Sequence, residues 1–402
     1  MMQTQISDGT NTRYAYQQMT ISDDVLPGVE YIKEMEKSSP FLRKLYEHMT
    51  DCGYRGEQND IKEAFRFLWQ CCEQADVKIS RQTLSNWLVT GVVAHNSIAR
   101  ENVYKLCFAL KMNARQTEEF FLKGYLDRPF NYKSLYETVC FFCLNYQGRY
   151  RYSDVARIIA AIEAAPVKEN STSPEFTVMI RSNVLACSTE EDLIKYWQQE
   201  SANFGLSKYA AKSEVDALLK RCYEVAPKYL RSKINTPGAL LEEIFDYRAR
   251  RVDGGEKRYA FSIAKSSFPD SIKLNFPDPQ KIWKILNDLK KKTNLSTDDM
   301  LRKAIIVLNF YAFFAENDRR IKNPRKYGQP SMRPLEEFTA QMNLCLERCG
   351  YVKLYWLNPF DWMFGYCAKQ NYPLLALRAF IKAFYLDDCD NVDEYRLVEE
   401  TR

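Results

Sequence analysis

The sequence predicts an all-α protein, and three observations carry that expectation: turn-forming residues are few, apolar residues recur at helical spacing, and capping patterns stand at the head of several such runs. Among 402 residues there are 14 glycines and 15 prolines, too few for the turn-rich connections on which sheet architectures depend. Hydrophobic residues make up 46% of the chain, enough for real cores, and the length suggests about two to three domains. The architecture expected is an irregular helical array or bundle.

Element by element, residues 1–38 carry few clustered apolar positions and read as a partly ordered lead-in. Leu42, Leu45 and Met49 then fall on one helical face, and after a break at Gly53–Gly56 a second face runs through Ile61, Phe65, Leu68 and Trp69. Residues 79–124 read as three further short helices. Tyr136–Leu144 is a strongly apolar helix, and Val155–Ile162 is another, with Ser153 as its N-cap. Ser188–Glu191 opens the next with a capping-box pattern, and Leu193, Ile194 and Trp197 follow it. Helical pairs continue to about residue 250. Tyr259–Phe276 is a short hairpin or a loop, and Ser296 with Asp299 caps a helix through Met300, Leu301, Ala304, Ile305 and Leu308. A proline-punctuated basic loop, Arg319–Arg333, precedes final helices that pack through Leu344, Leu346, Trp362, Phe364, Leu374, Leu377, Phe380 and Phe384. Asn358 caps the helix that Pro359 begins.

Linkers are expected at Lys168–Pro174 (KENSTSP), which is polar and ends in proline, and at Arg251–Lys257 (RVDGGEK), which holds the chain's single Gly-Gly pair. These give a lead-in at 1–38, a helical region at 39–130, and helical domains at 131–250 and 258–402. No fixed period of 30 to 50 residues recurs, so a regular tetratricopeptide-type solenoid is not expected.

Neither a basic segment followed by an apolar run nor a stretch of about 18 apolar residues occurs, so a cytoplasmic protein with no membrane partner is expected. Twelve cysteines in 402 residues are too dilute for a disulfide scaffold, and many lie within apolar helical runs, where they read as small buried hydrophobes. Cys140-Phe141-Phe142-Cys143 has the spacing of half a zinc or redox site, but no second pair complements it. Cys345 and Cys349 likewise sit one helical turn apart beside Leu344 and Leu346. Only two histidines exist, His48 and His95. Without histidine clusters, phosphate loops or nucleophile elbows, no metal, cofactor or catalytic residue is expected, and the chain reads as a non-enzyme. Net charge is +5 from 57 basic and 52 acidic residues, so only the distribution of charge can argue for an anionic partner.

Ser80-Arg81-Gln82-Thr83-Leu84-Ser85-Asn86-Trp87-Leu88-Val89-Thr90-Gly91 combines a polar N-cap, a polar first turn, apolar residues at 84, 87 and 88, and a terminating glycine. A second helix follows through Ile98, Val103, Leu106, Cys107 and Leu110, and a third in Gln116–Tyr125. In spacing and residue type, 79–124 resembles the recognition half of Cro/repressor-like (XRE-type) helix-turn-helix domains. The resemblance implies a recognition helix whose N-terminal side chains meet base edges in the major groove. It places Arg81, Gln82 and Asn86 toward the groove, with Thr83 or Ser85 reaching a base or phosphate. Ser80 is then the cap, and Leu84, Trp87, Leu88, Leu106 and Leu110 the core. The preceding Gln74-Ala75-Asp76-Val77-Lys78 lacks the glycine the family has at its turn. Either the turn is remodelled, or the fold is kept without DNA binding.

The stretch from Arg319 to Arg333 holds six basic and no acidic residues, making Arg319, Arg320, Lys322, Arg325 and Lys326 candidate phosphate contacts. The reading is thus a double-stranded-DNA-binding, transcriptional-regulator-like protein, with a protein partner or self-association through the C-terminal helices. The alternative is a helical interaction scaffold, or a phage-defence or inhibitor component, in which the helix-turn-helix fold is architectural.

Overall fold

A computed structural model of the chain describes residues 14–22, 24–37, 40–94, 97–132, 134–146, 148–164, 177–199, 207–226, 237–245, 250–251, 257–258, 282, 286 and 298–385. They are mostly helical, as the scarcity of turn residues requires. The strand content among them is a two-residue antiparallel ladder, β1 (Arg250–Arg251) on β2 (Lys257–Arg258). The expected linker at 168–174, the expected capping box at Ser296 and the ambiguous stretch 259–276 lie outside the described residues. The chain divides into two compact units, one drawn from 1–38, 211–347 and 353–402, the other from 39–210 and 348–352. This partition differs from the one expected from linker composition, because spatial packing joins segments remote in sequence.

The first unit shows how. Helix α1 (Leu26–Lys37) packs on the C-terminal helices α16 (Pro359–Lys369) and α17 (Pro373–Tyr385). Ala15, Met19, Val25, Val29 and Ile32 are buried, the Trp362 indole N–H donates to the Ala15 carbonyl at 2.7 Å, and Gln370 ties down Thr20 and Ser22. The described residues of the segment expected as a lead-in, 14–22 and 24–37, are therefore part of a core. Its apolar residues are too widely spaced to announce themselves locally, and only the distant partner explains them. Helices α11 (Ser207–Val225), α12 (Pro237–Phe245), α13 (Asp298–Lys322), α14 (Pro324–Tyr327) and α15 (Pro334–Arg348) also contribute to this unit. Asn358 caps α16 as its sequence predicts, accepting from the Phe360 and Asp361 N–H groups.

The second unit runs from α2 (Pro40–Asp51) through α3 (Ile61–Gln74), α4 (Arg81–Thr90), α5 (Ser97–Ala109), α6 (Ala114–Phe120), α7 (Leu135–Asn145), α8 (Tyr152–Ala164), α9 (Thr177–Ala186) and α10 (Glu190–Gln199). Helix α3 buries Ala64, Leu68 and Cys72, one residue per turn, and starts where Asp60 accepts the Glu63 N–H at 2.9 Å. A π-helical turn, Phe121–Tyr125, extends α6 and packs against α2. That approach is close: a Cβ on Gly124 would lie 3.1 Å from Cβ of Lys44.

Two expected caps are displaced by a residue or two. Helix α8 already includes Ser153, and the Asp154 carboxylate accepts the Arg151 N–H at 2.8 Å. Helix α10 is boxed by Thr189 and Asp192, which exchange backbone-to-side-chain bonds at 3.0 and 3.1 Å; aspartate at the third helical position replaces the glutamate of the Ser188 pattern. Ile98 and Leu344, expected as packing residues, are 70% and 58% exposed, because the helical phase set by Val103 and Leu106 in α5, and by Cys345 and Leu346 in α15, turns them outward.

Candidate nucleic-acid interface

The geometry around α4 begins with how α3 stops. The Val77 N–H reaches back to the Cys72 carbonyl at 3.0 Å and the Asp76 N–H to Glu73 at 3.1 Å, a Schellman ending that demands a left-handed residue at Asp76. Asp76 has φ +52°. An aspartate, which tolerates that region better than most side chains, thus fills the place of the missing glycine. Val77 and Ile79 are buried, so the connection is pinned to the core at alternate positions.

Ser80 caps α4, accepting the Thr83 N–H at 3.1 Å, and Gly91 closes it with φ +66°. Leu84, Trp87 and Leu88 are buried, as are Leu106 and Leu110 of the core behind them. The Phe41 ring meets both Trp87 and Phe120 edge-on at 5.3 Å, which holds the helix by its inner face. Arg81, Gln82 and Asn86 are exposed, while Thr83 and Ser85 are half-buried. Thr83 is also engaged, its hydroxyl 2.8 Å from that of Ser80.

The exposed side chains are ordered by neighbours. Gln82 Nε2 donates to Asn86 Oδ1 at 2.7 Å, so the two amides, one turn apart, form a unit with donor and acceptor capacity to spare. The Arg81 guanidinium lies 4.8 Å from the Trp69 ring, a cation–π contact. Trp69 in turn stacks on Phe65 and donates to Glu73 at 2.6 Å. Sequence spacing assigned Phe65 and Trp69 to the core; they are only partly buried and build the bracket for Arg81.

The five basic candidates of the other unit separate by role. Arg319 and Arg320 belong to the last turns of α13 rather than to a loop. The Arg319 guanidinium donates to the Glu224 and Ala226 carbonyls, each at 2.8 Å, closing the end of α11. Arg320 pairs with Glu316 at 2.6 Å. Arg319 is thereby occupied in tying α13 to α11, and Arg320 in an ion pair within its own helix. Lys322, Arg325 and Lys326 are exposed.

Sequence spacing did not single out a buried, heavily bonded carboxylate of the second unit, Glu137. Glu137 of α7 is 8% exposed and accepts from Arg100 Nε at 2.7 Å, Arg100 Nη2 at 2.8 Å, the Tyr104 hydroxyl at 2.9 Å and the Asn131 N–H at 2.7 Å. Arg100 also reaches Asp127 at 2.9 Å and the Arg128 carbonyl at 2.7 Å. Burial by itself would push the Glu137 carboxyl up, but Arg100 and these donors hold it below the usual carboxylate value. The signal was present: Glu137 is the lone charge in an otherwise apolar helix, and a buried charge requires a partner. Because every bond on this carboxylate runs to an internal donor, the cluster reads as a clamp joining α5, α7 and the 127–131 segment.

A cleft of about 590 Å³ opens beside α2 and α3, where His48, Asp51, Cys52, Cys71 and Lys111 are among its lining residues. Burial lowers the His48 pKa and raises that of Cys52, while Cys71 is pushed up to about 11. Both thiols are therefore protonated near neutral pH, and Cys52 donates to the Leu110 carbonyl at 3.0 Å. Cys140 and Cys143 are buried inside α7, as their apolar neighbours implied. No family model, curated protein or solved structure matches the chain.

Proposed function

We propose that the chain binds double-stranded DNA through α4, in the manner of a transcriptional regulator. The observation that supports this best is the division of α4: Leu84, Trp87 and Leu88 anchor one side in the core, while Arg81, Gln82 and Asn86 stand exposed on the other. Arginine can make two hydrogen bonds to guanine, and glutamine or asparagine two to adenine. The stacked Trp69 bracket and the Gln82–Asn86 bond restrict these side chains before binding, which lowers the ordering cost on contact.

The test is affinity for a pool of duplex DNA, measured for the wild type and for Arg81→Ala and Gln82→Ala. A lost bidentate contact is worth about 1–3 kcal/mol, so each variant is expected to weaken its preferred duplex by about 5- to 150-fold. Equal, weak binding by all three proteins would sink the proposal. A second reading, in which this unit docks a protein, is favoured by Val89 and Ile98, 58% and 70% exposed. It predicts that Val89→Ser changes partner association while duplex binding stays negligible in every variant.

A further inference from the structure

Between α13 and α15 the chain builds a small, fully exposed knuckle. Every residue from 321 to 329 is exposed, yet the backbone is closely bonded. The Asn323 N–H donates to the Arg319 carbonyl at 2.9 Å, the Asn323 side chain accepts the Lys326 N–H at 3.2 Å, and the Gly328 N–H returns to Pro324 at 3.0 Å. On the returning side, the Ser331 N–H donates to Asn317 Oδ1 at 2.7 Å, which pins that stem of the knuckle to α13. Its tip presents Lys322, Arg325 and Lys326 beside Tyr327, with no acidic residue anywhere from 319 to 333. Lys326 lies 5.0 Å from the Tyr327 ring and Arg319 lies 5.9 Å from it, so the aromatic ring keeps cations gathered there. Lys322 has a further use as a cation at the C-terminal end of α13, one turn from the half-buried Asp318.

We propose that this knuckle is a sequence-independent grip on the phosphates of duplex DNA, formed by Lys322, Arg325 and Lys326. It stands without the base-reading role of α4, since neutralising phosphates needs only exposed, preorganised cations. A lipid surface would demand apolar side chains at the tip that enter the acyl boundary. Here the exposed aliphatic residues, Ile321 and Met332, belong to the stems, whereas the tip from 322 to 329 is polar apart from Pro324, Tyr327 and Gly328. The cations and the paucity of apolar tip residues together favour nucleic acid.

The experiment is duplex affinity of the full chain between about 50 and 200 mM salt, for the wild type, for the triple variant Lys322→Gln, Arg325→Gln, Lys326→Gln, and for Gln82→Ala. Three phosphate contacts contribute about 2.7 to the slope of log affinity against log salt, or about 40-fold of the loss across that range. The triple variant is expected to lose this slope on every duplex sequence while keeping the wild-type circular dichroism and a cooperative melting transition lowered by only a few degrees, as the loss of one helix-end cation implies. Gln82→Ala is expected to keep the slope and lose sequence discrimination. If Gln82→Ala changes nothing but the triple variant still flattens the slope, the knuckle is upheld and the α4 reading fails. An unchanged slope in the folded triple variant overturns the knuckle proposal, as does absence of duplex binding by the wild type at low salt. Selective loss of flotation with phosphatidylserine-containing vesicles, with the DNA slope intact, overturns it in favour of a membrane.

Discussion

Replacing Glu137 by glutamine tests whether the Arg100 cluster holds the second unit together. The carboxylate accepts four hydrogen bonds: Oε1 takes one from Arg100 Nε, and Oε2 takes those from Arg100 Nη2, the Tyr104 hydroxyl and the Asn131 N–H. An amide keeps the second set when its oxygen sits at the Oε2 position. Its NH₂ then faces Arg100 Nε, donor against donor, and the remaining bonds lose their charge assistance. Arg100 retains Asp127 at 2.9 Å, so its charge is not wholly stranded. Breaking one side of a buried ion pair costs about 3–5 kcal/mol, and the surviving Asp127 contact points to the lower end, about 3 kcal/mol. The assay is urea unfolding followed by circular dichroism, with Arg100→Met and the double variant completing a cycle. The double variant is expected to lose less than the sum of the singles, since the Arg100–Glu137 interaction is lost only once in it, while Asp127 loses its arginine equally in Arg100→Met and in the double variant. The pH dependence has a defined sign. The folded Glu137 pKa lies below the ordinary value of a glutamate, so its contribution is complete above that ordinary value and fades as pH falls through the lower folded value. The gap between wild type and Glu137→Gln should therefore narrow only in acid. A Glu137→Gln protein within about 0.5 kcal/mol of wild type at pH 7, the range of an ordinary surface substitution, would refute the clamp.

Asp76→Gly removes the strain of a left-handed aspartate after α3 and is expected to raise stability by about 1 kcal/mol, read as an upward shift of the unfolding midpoint; a loss would mean that the Asp76 side chain has a role of its own. The thiols of Cys107, Cys140 and Cys143, all buried, with the first two fully enclosed and the Cys107 pKa pushed up to about 12, are expected to resist a disulfide reagent at pH 8 until the protein unfolds. Native labelling at any of these positions, mapped by mass spectrometry, would contradict their burial.

Local chemistry in the sequence determined the helical class, the borders of α4 and most of its inner face. Ser80, Gly91, Leu84, Trp87 and Leu88 act over one or two turns, and an interaction of that range is written in the spacing of neighbouring residues. Asn358 and the apolar cysteines of α7 were legible for the same reason. The tertiary structure decided what depends on contacts between distant segments. It placed residues 14–37 against α16 and α17, gave Glu137 its arginine, turned Ile98 and Leu344 outward, and assigned Arg319 and Arg320 to helix ends while leaving Lys322, Arg325 and Lys326 exposed. The DNA-reading role proposed for α4 depends on both kinds of information: residue types supply Arg81, Gln82 and Asn86, and packing from the opposite side leaves them exposed. The physical reason is range. Caps, turns and periodicity are set by residues a few positions apart, whereas burial and ion pairing depend on which remote surface excludes water from a group.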